Sequence, residues 1–220
     1  MRLKKKIVIF GAGSGGKEIL NLIRECNQRK DQYEIIGFVD EKIYKRNLKI
    51  NNIPVIKLRD LKKQETIYGV SGVLDSVLRE KIYNNEIKKN GVLTLSIIHP
   101  SVIVPDDTSI GKGCIIYSNT HISYNIKLGK GVIIAFNCDL GHDLKVGNYS
   151  SLMPGTIVNG NCKIGKKSLI SSGVIIKENI NIGDNCMIGI GSAIVKNVKK
   201  NTKVINFQRQ GILNNHDLKR

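Results

Sequence analysis

The chain has 220 residues, of which 41% are hydrophobic and 24% charged, and its formal net charge is +17. This length suits one large or two small domains with a buried core. No apolar run resembles a signal peptide or approaches the ~18 residues of a membrane span, so we expect a cytoplasmic protein that does not span a membrane. The charge is spread along a chain without tryptophan. That argues against a nucleic-acid binder, which concentrates its charge near aromatic residues.

Residues 1–97 predict a small Rossmann-like α/β domain. Helical patterns follow the first strand and cover 74–89. The segment has about half the length of a redox Rossmann domain, which needs about six strands, so we expect it to hold one nucleotide. Strands are predicted near 7–10, 35–39, 53–56, 66–71 and 92–95.

A glycine-rich loop follows the first predicted strand with the spacing G-x-G-x-x-G, and an aspartate ends the second strand. Glycines there let the backbone approach a phosphate, the helix start offers free N–H groups, and the acid can accept from a ribose hydroxyl. A tight strand-to-helix turn without a ligand is the alternative. The candidate nucleotide-binding residues in the loop, at the aspartate and at the end of the fourth strand are Gly11, Gly13, Ser14, Gly15, Asp40, Ser71 and Gly72.

Residues 98–199 are organised by a repeat of six. A branched aliphatic recurs every six positions without an insertion, beginning at Ile98 and ending at Ile194, and a mostly small or β-branched residue follows four positions later. A solenoid has this period, because one short strand and one turn make six residues and three such units close a triangular coil. Stacked coils would pair as parallel strands about 4.8 Å apart. We expect the following glycines to permit the tight turns: Gly111, Gly129, Gly147, Gly165 and Gly183.

Four of the five cysteines fall in the small-residue series, at intervals of 24. Successive cysteines therefore face different sides of the solenoid and cannot share a metal. We expect small buried thiols in a reducing compartment. No cluster has zinc spacing, so no metal is predicted. The four are Cys114, Cys138, Cys162 and Cys186.

A short nucleotide-binding unit, the segment Ile98-His99-Pro100-Ser101 and uninterrupted sixes occur in this order. The arrangement, over about residues 5–200, resembles a bacterial subfamily of the hexapeptide-repeat acyltransferases, the nucleotide-sugar N-acetyltransferases together with the sialic acid O-acetyltransferases. The resemblance implies a left-handed parallel β-helix that holds acetyl-CoA. It also implies that the N-terminal domain holds a nucleotide-sugar substrate and that the active site lies between subunits of a homotrimer.

The resemblance places the catalytic histidine–acid pair at His142 and Asp143, in the turn 141–147. His142 follows an interior aliphatic by two positions, so it lies outside the prism. It would act as general base, and Asp143, or Asp139 as the alternative, would fix its tautomer. The resemblance further assigns an oxyanion donor to the N–H of Gly160. Ser151 stands where the family commonly has a second histidine, and with Ser172 it completes the acetyl-CoA candidates.

The expected activity is acetyl transfer from acetyl-CoA to the amino group of a UDP- or GDP-linked sugar, by direct attack on the thioester and without a metal. The alternatives are a sugar O-acetyltransferase of the sialic acid type and a non-catalytic β-solenoid scaffold. Residues 200–220, a basic tail, depart most from the family. There, Lys203 or Arg209 is expected to hold the phosphates of coenzyme A.

Overall fold

The computed structural model describes residues 3–61 and 65–205 and divides them between an α/β domain and a prism of short strands. A 3₁₀ turn spans Leu58–Asp60. The helix that begins at Ser76 continues beyond Lys81 as a π-helical segment, Ile82–Ile87, and a 3₁₀ turn, Lys88–Asn90. The other elements of the first domain are β1 (Lys5–Phe10), α1 (Ser14–Arg29), β2 (Tyr33–Val39), β3 (Lys49–Ile50), β4 (Ile53–Ile56), β5 (Ile67–Ser71), α2 (Ser76–Lys81) and β6 (Leu93–Thr94).

The sheet of this domain has the order β3-β4-β2-β1-β5-β6, and its neighbours are parallel except β3 and β4. β1 is central and its last four residues are buried, as expected for an apolar strand covered on both faces. The five predicted strands are confirmed, and β3 was missed. Its signal was Asn51-Asn52, which have φ of 49° and 66° and join β3 to β4. Asparagine tolerates this left-handed conformation in two-residue hairpin turns.

The helix predicted over 74–89 is shorter and less regular than expected. It begins at Ser76, because Asp75 caps it by accepting a hydrogen bond from the N–H of Leu78 at 2.7 Å. The regular α-helix ends at Lys81 and gives way to the π-helical segment.

Seventeen strands of two residues each form the prism: β7 (Ile97–Ile98), β8 (Ser109–Ile110), β9 (Ile115–Ile116), β10 (His121–Ile122), β11 (Lys127–Leu128), β12 (Ile133–Ile134), β13 (Asp139–Leu140), β14 (Lys145–Val146), β15 (Ser151–Leu152), β16 (Ile157–Val158), β17 (Lys163–Ile164), β18 (Leu169–Ile170), β19 (Ile175–Ile176), β20 (Asn181–Ile182), β21 (Met187–Ile188), β22 (Ala193–Ile194) and β23 (Lys203–Val204).

The strands build three parallel sheets, one for each side of a triangular prism. Side 1 contains β7, β9, β12, β15, β18, β21 and β23, side 2 contains β10, β13, β16, β19 and β22, and side 3 contains β8, β11, β14, β17 and β20. Ile133 pairs with Ser151, eighteen residues on, and the same step recurs along each side. The predicted coil of three sixes is thereby confirmed. The second residue of each strand faces the core, where the four repeat cysteines are also buried.

The turns of the prism depend on the third residue after each aliphatic. Asn119, Asn137 and Gly155 occupy this place with φ of 56°, 59° and 70°. Asparagine and glycine adopt this left-handed conformation at the lowest cost. The glycines predicted to permit the turns stand two positions earlier and lie outside the left-handed region. That prediction was wrong: a Cβ on Gly147 would lie 2.5 Å from the backbone nitrogen of Lys166, so these glycines let neighbouring coils approach.

The prism extends beyond the predicted 98–199 at both ends. β7 begins at Ile97, and β23 adds a last strand by pairing Lys203 with Met187, sixteen residues back. This final step is two residues shorter than the usual eighteen, so it departs from the repeat of six. For that reason residues 200–205 were assigned to the tail from the sequence. Arg209 lies outside the described residues.

The α/β domain packs on side 1 of the prism. Ile97 and Ile115 share a buried cluster with Ile19 and Ile23 of α1. The π-helical segment supplies Tyr83, whose hydroxyl donates to the carbonyl of Gly113 at 3.0 Å. The two domains therefore share apolar and polar contacts along this side.

Arg79 of α2 is a fully buried cation that ties the two domains together. Its guanidinium donates to the carbonyls of Val73 and Leu74 in its own domain, at 3.0 and 2.6 Å. It also donates to the carbonyls of Gly131 (2.9 Å) and Tyr149 (2.5 Å) in the prism. Burial lowers its pKa to about 10, so it stays charged at neutral pH.

Candidate active site

His142 and Asp143 lie in the turn between β13 on side 2 and β14 on side 3. Nδ1 of His142 is 2.8 Å from Oδ2 of Asp143. A carboxylate only accepts hydrogen bonds, so Nδ1 carries the hydrogen and Nε2 has the free lone pair. The imidazole side chain is 41% exposed, so a substrate can reach it. The pair therefore has the tautomer and the access that a general base needs.

Asp143, not Asp139, is the partner of His142. Hydrogen bonds from His142 and from Asn125 hold the pKa of the Asp143 carboxyl below its usual range. The carboxylate is thus ionised at neutral pH and would stabilise an imidazolium. Asp139 pairs instead with His121, whose Nδ1 lies 2.8 Å from Oδ1 of Asp139 in the neighbouring coil. The alternative partner considered from the sequence is therefore engaged elsewhere.

The imidazole of His142 lies between two residues at the equivalent turn position of the adjacent coils. Tyr124 precedes it by eighteen residues and stacks on it, with centroids 5.1 Å apart and an interplanar angle of 8°. Gly160 follows by eighteen residues, and a Cβ there would lie 2.5 Å from Cε1 of His142 and closer still to Nε2. Only glycine leaves room for the ring. Among the described residues the N–H of Gly160 donates to no acceptor, and the residue is buried with the imidazole against it.

A cavity of 450 Å³ lies between the α/β domain and the prism. This is within the range of small-molecule sites. Six of the seven predicted nucleotide-binding residues line it, namely Gly11, Gly13, Ser14, Gly15, Asp40 and Gly72. The opposite wall, which the sequence did not indicate, comes from the corner between sides 1 and 2 and contains Tyr117, Ala135, Phe136, Met153 and Pro154.

The positions of the loop that hold glycine do so for different structural reasons. Gly11 has φ of 91°, which requires glycine, whereas a Cβ on Gly15 would overlap the carbonyl oxygen of Gly72. Gly13 has no atom within 4 Å of its Cβ position, so its backbone is open to a ligand. The carboxylate of Asp40 lines the cavity and accepts from the N–H of Ala12 at 3.0 Å. It therefore holds the loop in place, in addition to any contact with a ribose.

The structure places three predicted residues away from where ligand contact was expected. Ser71 is fully buried, and its hydroxyl accepts from the N–H of Val73, so it supports the loop without facing the cavity. Ser151 lies on side 1, 2% exposed, and its hydroxyl accepts from Arg79. Side 1 is opposite the corner that carries His142, so one chain does not bring the two together. Ser172 is half-buried at the corner between sides 1 and 2.

His142 is not among the residues that line the cavity. The cavity lies at the corner where side 2 meets side 1, and the His142 turn lies at the corner where side 2 meets side 3.

In residues 3–61 and 65–205, no three His, Cys, Asp or Glu side chains are grouped as a metal site. The helices in those residues are all too short or too polar to cross a bilayer.

Both domains are similar to known proteins. Residues 3–97 match the family described as C2185-like, N-terminal. A GDP-perosamine N-acetyltransferase of Escherichia coli O157:H7 is 29% identical over 124 residues. That alignment covers 52% of this chain and 54% of the relative, so the chain spans about half the length of the curated relative it matches.

Solved structures match over nearly the whole chain. The acetyltransferase domain of PglB from Neisseria gonorrhoeae FA1090, in complex with acetyl coenzyme A, has a TM-score of 0.83 at 24% identity, covering 93% of this chain and 97% of that one. PerB from Caulobacter crescentus, in complex with CoA and GDP-perosamine, has a TM-score of 0.83 at 21% identity, covering 91% and 94%. By its repeat, its two-domain architecture and these similarities, the chain has the fold of these solved structures, an α/β domain followed by a β-helix of parallel strands.

Proposed function

We propose that the chain is an acetyl-CoA-dependent acetyltransferase that acetylates the amino group of a nucleotide-linked sugar. The observation that carries this proposal is the His142 turn. It joins a histidine with a free Nε2, an ionised carboxylate on Nδ1 and an unpaired backbone N–H from Gly160. These are the parts that acyl transfer to a nucleophile needs.

In the proposed mechanism, the amino nitrogen of the sugar attacks the thioester carbonyl of acetyl-CoA. Nε2 of His142 takes the proton that the nitrogen loses, and Asp143 stabilises the resulting imidazolium. The N–H of Gly160 donates to the carbonyl oxygen as it becomes negative, a contribution of about 3 kcal/mol. The tetrahedral intermediate then expels the coenzyme A thiolate, which takes the proton back from His142. No acyl-enzyme forms.

The acceptor is proposed to bind in the cavity between the domains. The open backbone at Gly13 and the start of α1 suit a phosphate. The formal charge of +17 favours anionic substrates such as a nucleotide sugar and acetyl-CoA. The names of the similar proteins support this assignment, because they specify GDP-perosamine, N-acetyl transfer and acetyl coenzyme A. Five free, buried cysteines suit a reducing compartment, and we propose the cytoplasm.

A homotrimer is proposed, because one chain leaves the two parts of the site apart. Side 2 separates them, and its outward residues Ile157 and Ile175 are 36% and 47% exposed. The corresponding outward positions of side 3 hold Lys127, Lys145 and Lys163. If side 2 faced a three-fold axis, His142 of one subunit would meet the cavity of the next. Light scattering is expected to give three times the chain mass of 24.4 kDa, and a stable monomer with full activity would contradict this arrangement.

The assay that tests the proposed function offers the protein acetyl-CoA with two matched sets of acceptors. One set contains UDP- and GDP-linked amino sugars, and the other contains their hydroxy counterparts and free sialic acid. Coenzyme A release and an acetylated product are expected with an amino acceptor only. Transfer to a hydroxyl would favour the O-acetyltransferase alternative. Unfolding temperatures with acetyl-CoA, UDP, GDP and CMP provide a second readout, because a ligand at ~100 times its Kd stabilises by about 2.7 kcal/mol. No transfer and no shift would leave the scaffold alternative.

A further inference from the structure

We propose that Tyr124 and Asn125, in the turn one coil before the catalytic turn, are positioning residues for His142 and Asp143. The inference rests on the proposed function, since it assigns these residues to the same reaction. Tyr124 packs on the imidazole, and Asn125 donates a hydrogen bond to the carboxylate. The turn before the catalytic pair therefore fixes both members of it.

Tyr124 is one of the exposed large side chains of the prism, with 55% of its surface accessible, so core packing does not explain it. Its ring is nearly parallel to that of His142 at a centroid distance of 5.1 Å. This is within the range of offset stacking, which contributes beyond area burial. The opposite face of the imidazole lies against the backbone of Gly160. The ring is thus confined on both faces and is held in one orientation.

Asn125 acts on the other member of the pair. It adopts the left-handed turn conformation with φ of 56°. Its Nδ2 donates to Oδ1 of Asp143, which leaves Oδ2 for Nδ1 of His142. The backbone N–H of Asn125 in turn donates to Oδ2 of Asp107 at 3.0 Å, one coil earlier. Asp107, Asn125 and Asp143 thus form a line of polar contacts across three coils that ends at the imidazole.

The second histidine–aspartate pair of the chain provides an internal comparison. His121 and Asp139 have the same separation, 2.8 Å, as His142 and Asp143. The ring contacts recorded for the described residues include none for His121, and its side chain is 68% exposed against 41% for His142. The two histidines therefore share the aspartate contact and differ in what surrounds the ring. The stacked tyrosine and the asparagine distinguish the His142 turn.

The consequence for the reaction is an effect on turnover and not on binding. A confined imidazole keeps Nε2 beside Gly160, so on the proposed mechanism the base and the oxyanion donor come from adjacent coils. Releasing the ring would misplace the base without removing any contact to the bound nucleotide. A misplacement of about 1 Å can cost a large factor in rate.

The first test compares Tyr124→Leu with Tyr124→Phe. The leucine variant is expected to lower kcat roughly 3- to 10-fold, the value of one aromatic pair, with KM for both substrates changed less than about 2-fold. The phenylalanine variant keeps the aromatic ring and is expected to keep the wild-type kcat. In a His142→Ala background, Tyr124→Leu should have no further effect. Wild-type kcat in the leucine variant, or a loss confined to KM, would overturn the role of Tyr124.

Asn125→Gly tests the second half of the inference. Glycine accepts the left-handed φ, so the turn is retained while the amide is removed. A hydrogen bond to a charged group is lost, and kcat is expected to fall roughly 10-fold or more. An unchanged kcat would show that Asn125 does not position the pair.

A spectroscopic readout separates this inference from the proposed function. In proton NMR spectra, the signals of the His142 ring are identified by their absence in His142→Ala. Their chemical shifts are expected to change in Tyr124→Leu and to stay near the wild-type values in Tyr124→Phe. This shift reports the stack without any substrate. Unmoved signals in the leucine variant would overturn the geometry. Unchanged turnover in His142→Ala would instead overturn the proposed mechanism, whatever the resonances do.

Discussion

His142→Ala is expected to lower kcat by at least two orders of magnitude while the fold and the unfolding temperature stay unchanged. General acid–base catalysis by one positioned side chain is worth about 10²–10⁴-fold. The side chain is 41% exposed, so its removal leaves no core cavity. The KM for acetyl-CoA should change little, because the alanine variant removes a proton acceptor and not a binding surface. Steady-state kinetics with an amino-sugar acceptor provides the measurement.

His121→Ala is the matched control for this prediction. The residue has the same aspartate contact at 2.8 Å but lacks the stack and the facing glycine. His121 lies on side 2, the side assigned to the subunit interface, so the variant is first checked to be a trimer. Its turnover is then expected to stay within about 2-fold of wild type, because no catalytic step is assigned to it. Gly160→Ala approaches the pair from the other side, because the added methyl would displace the imidazole. A loss on the order of 10² is expected. Equal losses in the His121 and His142 variants would contradict the assignment of the base.

Arg79→Leu is expected to reduce the free energy of unfolding by roughly 3 kcal/mol or more. The guanidinium is fully buried and is hydrogen-bonded to backbone carbonyls of both domains. Leucine fills part of the volume, but it leaves those carbonyls without donors, and an unsatisfied buried polar group costs about 1–3 kcal/mol. Backbone acceptors cannot be removed together with the arginine, so the hydrophobic replacement has no compensation.

Urea unfolding followed by circular dichroism measures this effect. Arg24→Leu is the control, because that arginine is exposed on α1 and donates to a single carbonyl, Asn51. It should change stability by less than about 0.5 kcal/mol. Arg79→Lys keeps the charge and is expected to fall between the two, since an ammonium cannot reproduce the planar fork of donors. A leucine variant as stable as the Arg24 control would show that the carbonyls find other partners.

The catalytic turn could be anticipated from the sequence only in part. His142 and Asp143 were identified by resemblance, and the six-residue register placed them outside the prism. Tyr124 gave no sequence signal, because its relation to His142 appears only when residues eighteen apart are stacked. The same step also explains Gly160, whose missing side chain makes room for a ring in another coil. The repeat aligns these positions in adjacent coils, but only the structure shows that the tyrosine ring stacks on the imidazole.

Some assignments failed where a side chain had two possible environments. Ser71 stands at the end of β5, where ligands often bind, yet it is buried beneath the loop. Ser151 occupies an outward position of side 1, but the α/β domain covers that side and Arg79 takes its hydroxyl. The sequence contains no signal for which side of the prism is covered. That choice depends on how two domains pack.

The sequence by itself determined the prism, its coil length and its interior, because a branched aliphatic at every sixth residue can be buried only by stacking coils of three sides. It also determined the parallel sheet and the glycine loop of the first domain through local apolar runs and spacing. The tertiary structure alone decided which carboxylate meets His142, what confines the ring and where the cavity lies. Asp143 is the sequence neighbour of His142, but Asp139 is held by His121 of the adjacent coil. The confinement of the ring and the place of the cavity depend on contacts between coils and between domains, which connect residues eighteen to more than seventy positions apart.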